Sequence, residues 1–160
     1  MEWKKRWMSP SDSRVRNLDE IIEHIKSLDN HSIYVGCDSH AAKGTNNKYL
    51  FAIAICVISK ENNSKGNRYF YSRGVFSRTF SSLKERLTQE VAFSAEIASL
   101  LTSKLPSIDI TLHADSGSDN KAKSSQFTET FRQWAIGIGC KFASKPDAWA
   151  SSSIADRHSK

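Results

Sequence analysis

Ile33-Tyr34-Val35-Gly36-Cys37-Asp38-Ser39-His40 runs a β-rich segment straight into a carboxylate, at a place where strand-forming residues are expected and Asp is disfavoured. Working outward, the polar turn Lys43-Gly44-Thr45-Asn46-Asn47 leads into a long, mostly apolar strand from Lys48 to Ser59. A second polar turn over 61–67 leads into Arg68-Tyr69-Phe70-Tyr71-Ser72-Arg73, a third strand of the same antiparallel meander. Ser81 or Ser82 then caps a long helix to about Lys104, which Pro106 closes. A short strand from Ile108 to Ala114 runs into the turn that begins at Asp115. The rest reads as a helix from about Ser124 to Ile136 ended by Gly137 and Gly139, a fifth strand from Cys140 to Ala143, and a last helix capped by Asp147, from Trp149 to about His158.

Upstream, Asn17 caps an amphipathic N-terminal helix with Leu18, Ile21, Ile22, Ile25 and Leu28 at helical spacing. Residues 1–16 read as an N-terminal arm, in which Trp3 and Trp7, four apart, form one face of a short docked helix or else a free partner-binding segment. Residues 17–160 form a single domain of the α/β class, a five-stranded mixed sheet with helices on both faces.

Composition narrows the function. With 160 residues, 39% hydrophobic and 25% charged, the chain builds a packed core without staples and is no disordered or low-complexity sequence. The formal net charge of +6 favours a polyanionic partner. Cys37, Cys56 and Cys140 are far apart and contain no C-x-x-C pair, which argues against a disulfide framework or a zinc site. The longest apolar run, Leu50 to Ile58, is roughly half a membrane span, and the N-terminus lacks a secretory pattern. A cytoplasmic location without membrane contact is therefore expected.

Four acidic residues look out of place. Measured at about 100° per residue from Leu83, the apolar Leu87, Ile97, Ala98, Leu101 and Leu105 share one stripe of the long helix, and Glu90 falls in its middle at about −20°. A buried carboxylate needs a cation, a metal or a raised pKa; a salt bridge to an Arg at the core edge would also serve. Asp38 and Asp115 each end a strand, and either also reads as a turn or capping residue. Asp156 lies seven positions after Trp149 on the last helix, on the same face, where a partly exposed helix residue is the plain alternative. Together, four carboxylates on two strands and two helices are the parts of a two-metal centre. There two Mg²⁺ or Mn²⁺ ions activate water and stabilise the leaving oxygen of a phosphodiester.

The opening string resembles the first strand of the ribonuclease H-like superfamily. Leu87-Thr-Gln-Glu90-Val-Ala-Phe-Ser94, Leu112-His-Ala-Asp115-Ser116 and Lys145-Pro-Asp-Ala-Trp-Ala-Ser-Ser-Ser-Ile-Ala-Asp156-Arg-His-Ser-Lys160 are similar to the YkuK-like bacterial family within it, over roughly residues 17–160. The resemblance implies a ribonuclease H-like fold with sheet order 3-2-1-4-5 and strand 2 antiparallel. It also implies the carboxylate order Asp, Glu, Asp, Asp, carried onto Asp38, Glu90, Asp115 and Asp156. Nucleolytic activity is what that family is predicted to have, with no substrate attached. Where hybrid-cleaving relatives carry a histidine before the last helix, this chain has Lys145-Pro146, and the Asp-x-Glu signature of proofreading-type exonucleases is absent because Ser39-His40 follows Asp38.

The expected function is thus a metal-dependent nuclease with metal ligands Asp38, Glu90, Asp115 and Asp156, and with Lys145 holding a phosphate as a point charge. The alternatives are a non-catalytic nucleic-acid-binding module and a dimeric branched-DNA resolvase. His113, two before Asp115, could orient that carboxylate or be a hydrogen-bonded core histidine. His158 reads as exposed, His24 and His31 have no zinc spacing, and His40 is placed to contact substrate. Lys43, Lys48, Arg73, Arg78, Lys121 and Lys123 form a basic rim around the acidic cluster or simply a solvated surface.

Overall fold

The computed structural model describes residues 3, 5–44, 47–61, 66–116 and 122–160, the side chains of 122–126 excepted. The turns expected at 45–46 and 62–65, and the segment 117–121 with Lys121, lie outside the described residues, as does the Lys123 side chain.

The decisive strand, β3 (His31–Ala41), pairs without a break against β4 (Lys48–Ser59), from His31 opposite Ser59 to Ala41 opposite Tyr49. Asp38 therefore lies inside the strand and not at its end, because the β4 ladder continues through it and pairs it with Ala52. β5 (Arg68–Ser77) adds on antiparallel, while β6 (Ile110–Ala114) and β7 (Lys141–Ser144) add on the other side in parallel. These five strands stand in the order β5-β4-β3-β6-β7, the expected 3-2-1-4-5 with its second strand antiparallel.

Among the described residues the sheet has seven strands, not five. The arm expected as a helix is a hairpin of β1 (Trp7–Ser9) and β2 (Asp12–Arg16), and β1 pairs antiparallel with β5 through Met8 and Tyr71. The physical reason is the open edge of β5, whose unpaired backbone groups favour an added strand. Trp3 and Trp7 are both buried. They fill the core under that edge, where Trp3 packs edge-on against Phe93 at 5.1 Å. Asp12 then ties the hairpin down, accepting from Arg16 at 2.9 and 2.7 Å and from Arg68 at 2.7 Å, with both guanidinium groups over the Phe70 ring.

Side chains alternate along β3. Ile33, Val35 and Cys37 join the main core beneath α1 (Leu18–Lys26), α2 (Leu83–Lys104) and α3 (Ala122–Ile138). Asn17 caps α1 by accepting from the Glu20 amide at 2.9 Å, and Ser82 caps α2 through the Glu85 amide at 3.2 Å. The buried face of α2 starts later than its apolar spacing suggests: Leu83 is 61% exposed, and the buried run is Glu90, Val91, Phe93, Ser94, Ile97, Ala98 and Leu101. α3 continues through Gly137 and stops at Gly139, whose φ of +92° suits a residue without a side chain.

The opposite face of β3 presents Tyr34, Gly36 and Asp38 to the C-terminal segment. That segment is a wide π-helical stretch, Ala150–Ala155, running into α4 (Asp156–Ser159). Ala54, Cys56, Ala150 and Ala155 form a small second core there. Asp147 gives this segment no side-chain cap; Trp149 stands at its start. No helix among the described residues is long and apolar enough to cross a membrane.

Contact with the sheet is so close that a Cβ on Gly36 would lie 2.4 Å from the Ser151 nitrogen and 2.6 Å from the Ala150 carbonyl carbon. Both are backbone atoms that cannot rotate away. Gly36→Ala is expected to lift the C-terminal segment and to cost about 3 kcal/mol of stability by overpacking. A urea midpoint within error of wild type would contradict this.

Candidate active site

Asp38 is 7% exposed under the C-terminal segment. Its Oδ2 accepts from Ser159 Oγ at 2.8 Å, and His40 Nδ1 lies 3.2 Å from the same oxygen. With its proton on Asp38, Ser159 accepts from His40 Nδ1 at 2.7 Å. His40 shares the face of Asp38 because it is two residues further along the strand. Its other ring nitrogen is 3.7 Å from Asp156 Oδ1, and Lys160 Nζ is 3.0 Å from Asp156 Oδ2. Ligand atoms of Asp38, His40 and Asp156 all fall within 4.8 Å of one another, a separation one cation can span.

The next residue, Ser39, points to the other face and donates to Glu90 Oε1 at 2.6 Å. Glu90 is 3% exposed and is the first buried residue of α2, because Leu83 and Leu87 on the same stripe are exposed and half-buried. Burial pushes its pKa up to about 8; the Ser39 hydrogen bond and the charge of Arg86 oppose this, and the charges of Asp38 and Asp115 add to it. Burial likewise raises Asp38 to about 6, opposed by Ser159 and His40 and reinforced by Asp156 and Asp115.

Asp115 follows β6 directly, and Lys145 follows β7, whose last residue Ser144 pairs with Ala114. That parallel register sets the two ends side by side, with Lys145 Nζ 3.1 Å from Asp115 Oδ1. The contact is an ion pair without hydrogen-bond alignment, so this buried oxygen has no hydrogen-bond partner among the described residues.

All four sequence-derived carboxylates therefore come to one end of the sheet. Asp38 and Asp156 meet through His40, while Glu90 and Asp115 stand beside them, held by Ser39 and Lys145. His113 does not orient Asp115. Its Nδ1 accepts from the Ala150 amide at 3.0 Å, its ring packs against Tyr34 and Trp149, and burial lowers its pKa to about 4. His158 is likewise not a free surface group: it stacks on Tyr71 at 3.6 Å and its Nε2 is 3.0 Å from the Tyr69 hydroxyl.

Arg73 stands level with Asp38 across the sheet, both paired to Ala52. Lys43 and Lys48 are exposed in and beside the first hairpin turn. Arg78 donates to Gln89 and Glu85 at the start of α2. Ser39, Ser159 and Lys160 escaped the sequence reading. The signals for them were local: Ser39 adjoins Asp38, and Ser159 and Lys160 lie three and four residues after Asp156, one helical turn away.

The donor set fits a divalent cation. It offers hard carboxylate oxygens, two of the carboxyl groups being pushed toward the protonated form, and a buried Asp115 oxygen that is ion-paired with Lys145 but has no hydrogen bond among the described residues.

A family model described as Ribonuclease H-like matches residues 16–160. No curated protein matches the chain. One matching solved structure is endonuclease V of Ciona intestinalis in complex with a 24mer DNA containing an inosine followed by a ribo-adenosine, at 10% identity and a TM-score of 0.43. The match covers 79% of this chain and 54% of that one, so the chain spans about half the length of that protein.

Raised carboxylate pKa values have a definite sign. The folded, metal-free protein binds more protons than the unfolded chain between the ordinary Glu value of 4.5 and about 8, so stability falls as pH rises through that window. Between about 4 and 6.5 His113 tilts the curve the other way, since neutral burial is lost as pH falls, but that contribution cancels between two proteins that both carry it. Urea melts of wild type and Glu90→Gln in a chelator are expected to diverge by up to about 4 kcal/mol from pH 5 to pH 8, with the variant the more stable at high pH. A pH-independent difference would contradict the burial of an ionisable Glu90.

Proposed function

This chain belongs to the ribonuclease H-like family, and from that premise we propose that it is a metal-dependent nuclease acting on nucleic acid. The observation that carries the proposal is the convergence of Asp38, Glu90, Asp115 and Asp156 at one sheet end, with Asp38 and Glu90 buried and lacking a full counter-charge. A finer placement, within the YkuK-like branch, rests on the three further segments quoted above.

Asp38, Glu90, Asp115 and Asp156 would hold two Mg²⁺ or Mn²⁺ ions, which supply an activated water and stabilise the leaving oxygen of a phosphodiester. The chain's own groups prepare that site. Ser39 and Ser159 each fix one carboxylate oxygen, which leaves the second oxygen of Glu90 and of Asp38 free to ligate. His40, between Asp38 and Asp156, sets their separation. Lys145, half-exposed beside Asp115, is placed to leave that carboxylate and take a substrate phosphate as a point charge. The net charge of +6 draws a polyanion to an acidic centre that would otherwise repel it.

One observation favours a second reading. Lys145 and Lys160 each pair with one of the carboxylates, Asp115 and Asp156, an arrangement that suits a binding module as well.

The two readings part in a cleavage assay on labelled single-stranded, duplex, hybrid and branched substrates with Mg²⁺ or Mn²⁺. Cleavage by wild type is expected, reduced at least about a hundredfold in Asp38→Asn and by a smaller factor, about tenfold, in Lys145→Ala. Salt-sensitive binding with no cleavage of any substrate would establish the module instead.

A further inference from the structure

Leu83, which the apolar spacing of α2 assigns to the core, instead borders a cavity of about 240 Å³ at the start of that helix, lined by Tyr49, Phe80, Ser82, Leu83 and Arg86. Tyr49 and Phe80 meet edge to face at 5.1 Å, and the Arg86 guanidinium lies over the Tyr49 ring, 5.3 Å from its centroid. Arg86 Nε is buried and has no hydrogen-bond partner among the described residues, whereas most buried donors are satisfied. A planar cation backed by an aromatic ring, beside an open-sided hole, is a stacking platform for another flat ring.

Charge and position narrow the occupant. Arg86 lines the cavity and the Arg78 guanidinium lies 5.2 Å from the Phe80 ring centroid, while Glu85, the one acid of the first turn of α2, is paired with Arg78. Lys84 leans over Phe127 at 4.1 Å, extending the cationic and aromatic surface away from the sheet. Arg86 precedes Glu90 by one turn of helix, about 6 Å along the axis. Whatever sits in the cavity is therefore a near neighbour of the carboxylates, and it is met by positive charge and aromatic rings.

We infer that the cavity receives one unpaired nucleobase of the substrate strand, stacked on Arg86 against the Tyr49–Phe80 pair, and that the substrate class is single-stranded nucleic acid. This rests on the reading of the neighbouring carboxylates as the reaction centre. A base inside a duplex is covered by its neighbours above and below and cannot enter such a hole without leaving the stack. Stacking itself tolerates every base, because each offers a π-face.

The test is fluorescence anisotropy of labelled short DNA and RNA, single-stranded and duplex, with wild type, Arg86→Lys and Leu83→Glu in a chelator, where binding is read apart from cleavage. Single strands are expected to bind about tenfold tighter than duplexes of the same sequence. Arg86→Lys keeps the charge but loses the planar stacking surface, so it is expected to remove most of that preference while the salt dependence stays as in wild type. Leu83→Glu changes an exposed residue and sets an anion at the rim; it is expected to weaken single-strand binding most. Equal binding of single strands and duplexes, or two folded variants that bind as wild type does, would overturn the inference. Failure of the nuclease reading looks different: the single-strand preference would persist with no cleavage under Mn²⁺. Unselective cleavage of duplexes would instead remove the cavity's role and leave the nuclease.

Discussion

Asp38 and Ser39 leave neighbouring positions of β3 in opposite directions, Asp38 toward the C-terminal helix and Ser39 toward Glu90 on α2, yet the Asp38 charge still adds to the raised pKa of the buried Glu90. Burying two acids this way is unfavourable unless hydrogen bonds and a cation compensate. Much of the surrounding structure follows from that constraint. Gly36 lets the backbone of residues 150 and 151 lie against the sheet, and only at that distance does Ser159 reach Asp38 and Asp156 reach His40. His113 fixes the same segment from β6 by accepting from the Ala150 amide. The parallel register of β6 and β7 sets Lys145 beside Asp115. A site of this kind is assembled by topology, since its parts come from β3, α2, the end of β6 and the last helix.

The inner five strands were legible because hydrophobic alternation, turn residues and helix caps all pointed the same way. Glu90 was legible for a related reason: a charged residue at the centre of an apolar stripe contradicts the pattern around it. The N-terminal hairpin was not. Trp3 and Trp7 stand at a spacing that suits a helix, but edge pairing with β5 overrode the local signal, and Ser9-Pro10-Ser11-Asp12 supplied the turn. Asp38 was expected at the end of its strand, because propensity gives Asp no reason to sit inside one; its neighbours on β4 decided otherwise.

Within the site, residue types were more legible than their partners. Four carboxylates could be picked from patterning, whereas Ser159 meets Asp38 across 121 residues of chain, a contact that no local spacing encodes. His113 shows the converse. Its place two residues before Asp115 suited a role in orienting that carboxylate, but the C-terminal segment packs over it, and there it serves as a hydrogen-bond acceptor. Leu83 is a third case, since helical spacing marks it as core and the shape of the sheet edge leaves it at the rim of an open cavity.

Whether the acidic end of the sheet is a metal centre can be measured without any substrate. An electron-paramagnetic-resonance titration of the chelator-stripped protein with Mn²⁺ at neutral pH counts ions bound and reports their affinity. Saturable binding of up to about two ions per chain, lost or sharply weakened in Asp38→Asn, is the result expected of four carboxylates acting together. No saturable binding, or an isotherm unchanged in Asp38→Asn, would contradict the assignment of this cluster as a metal site.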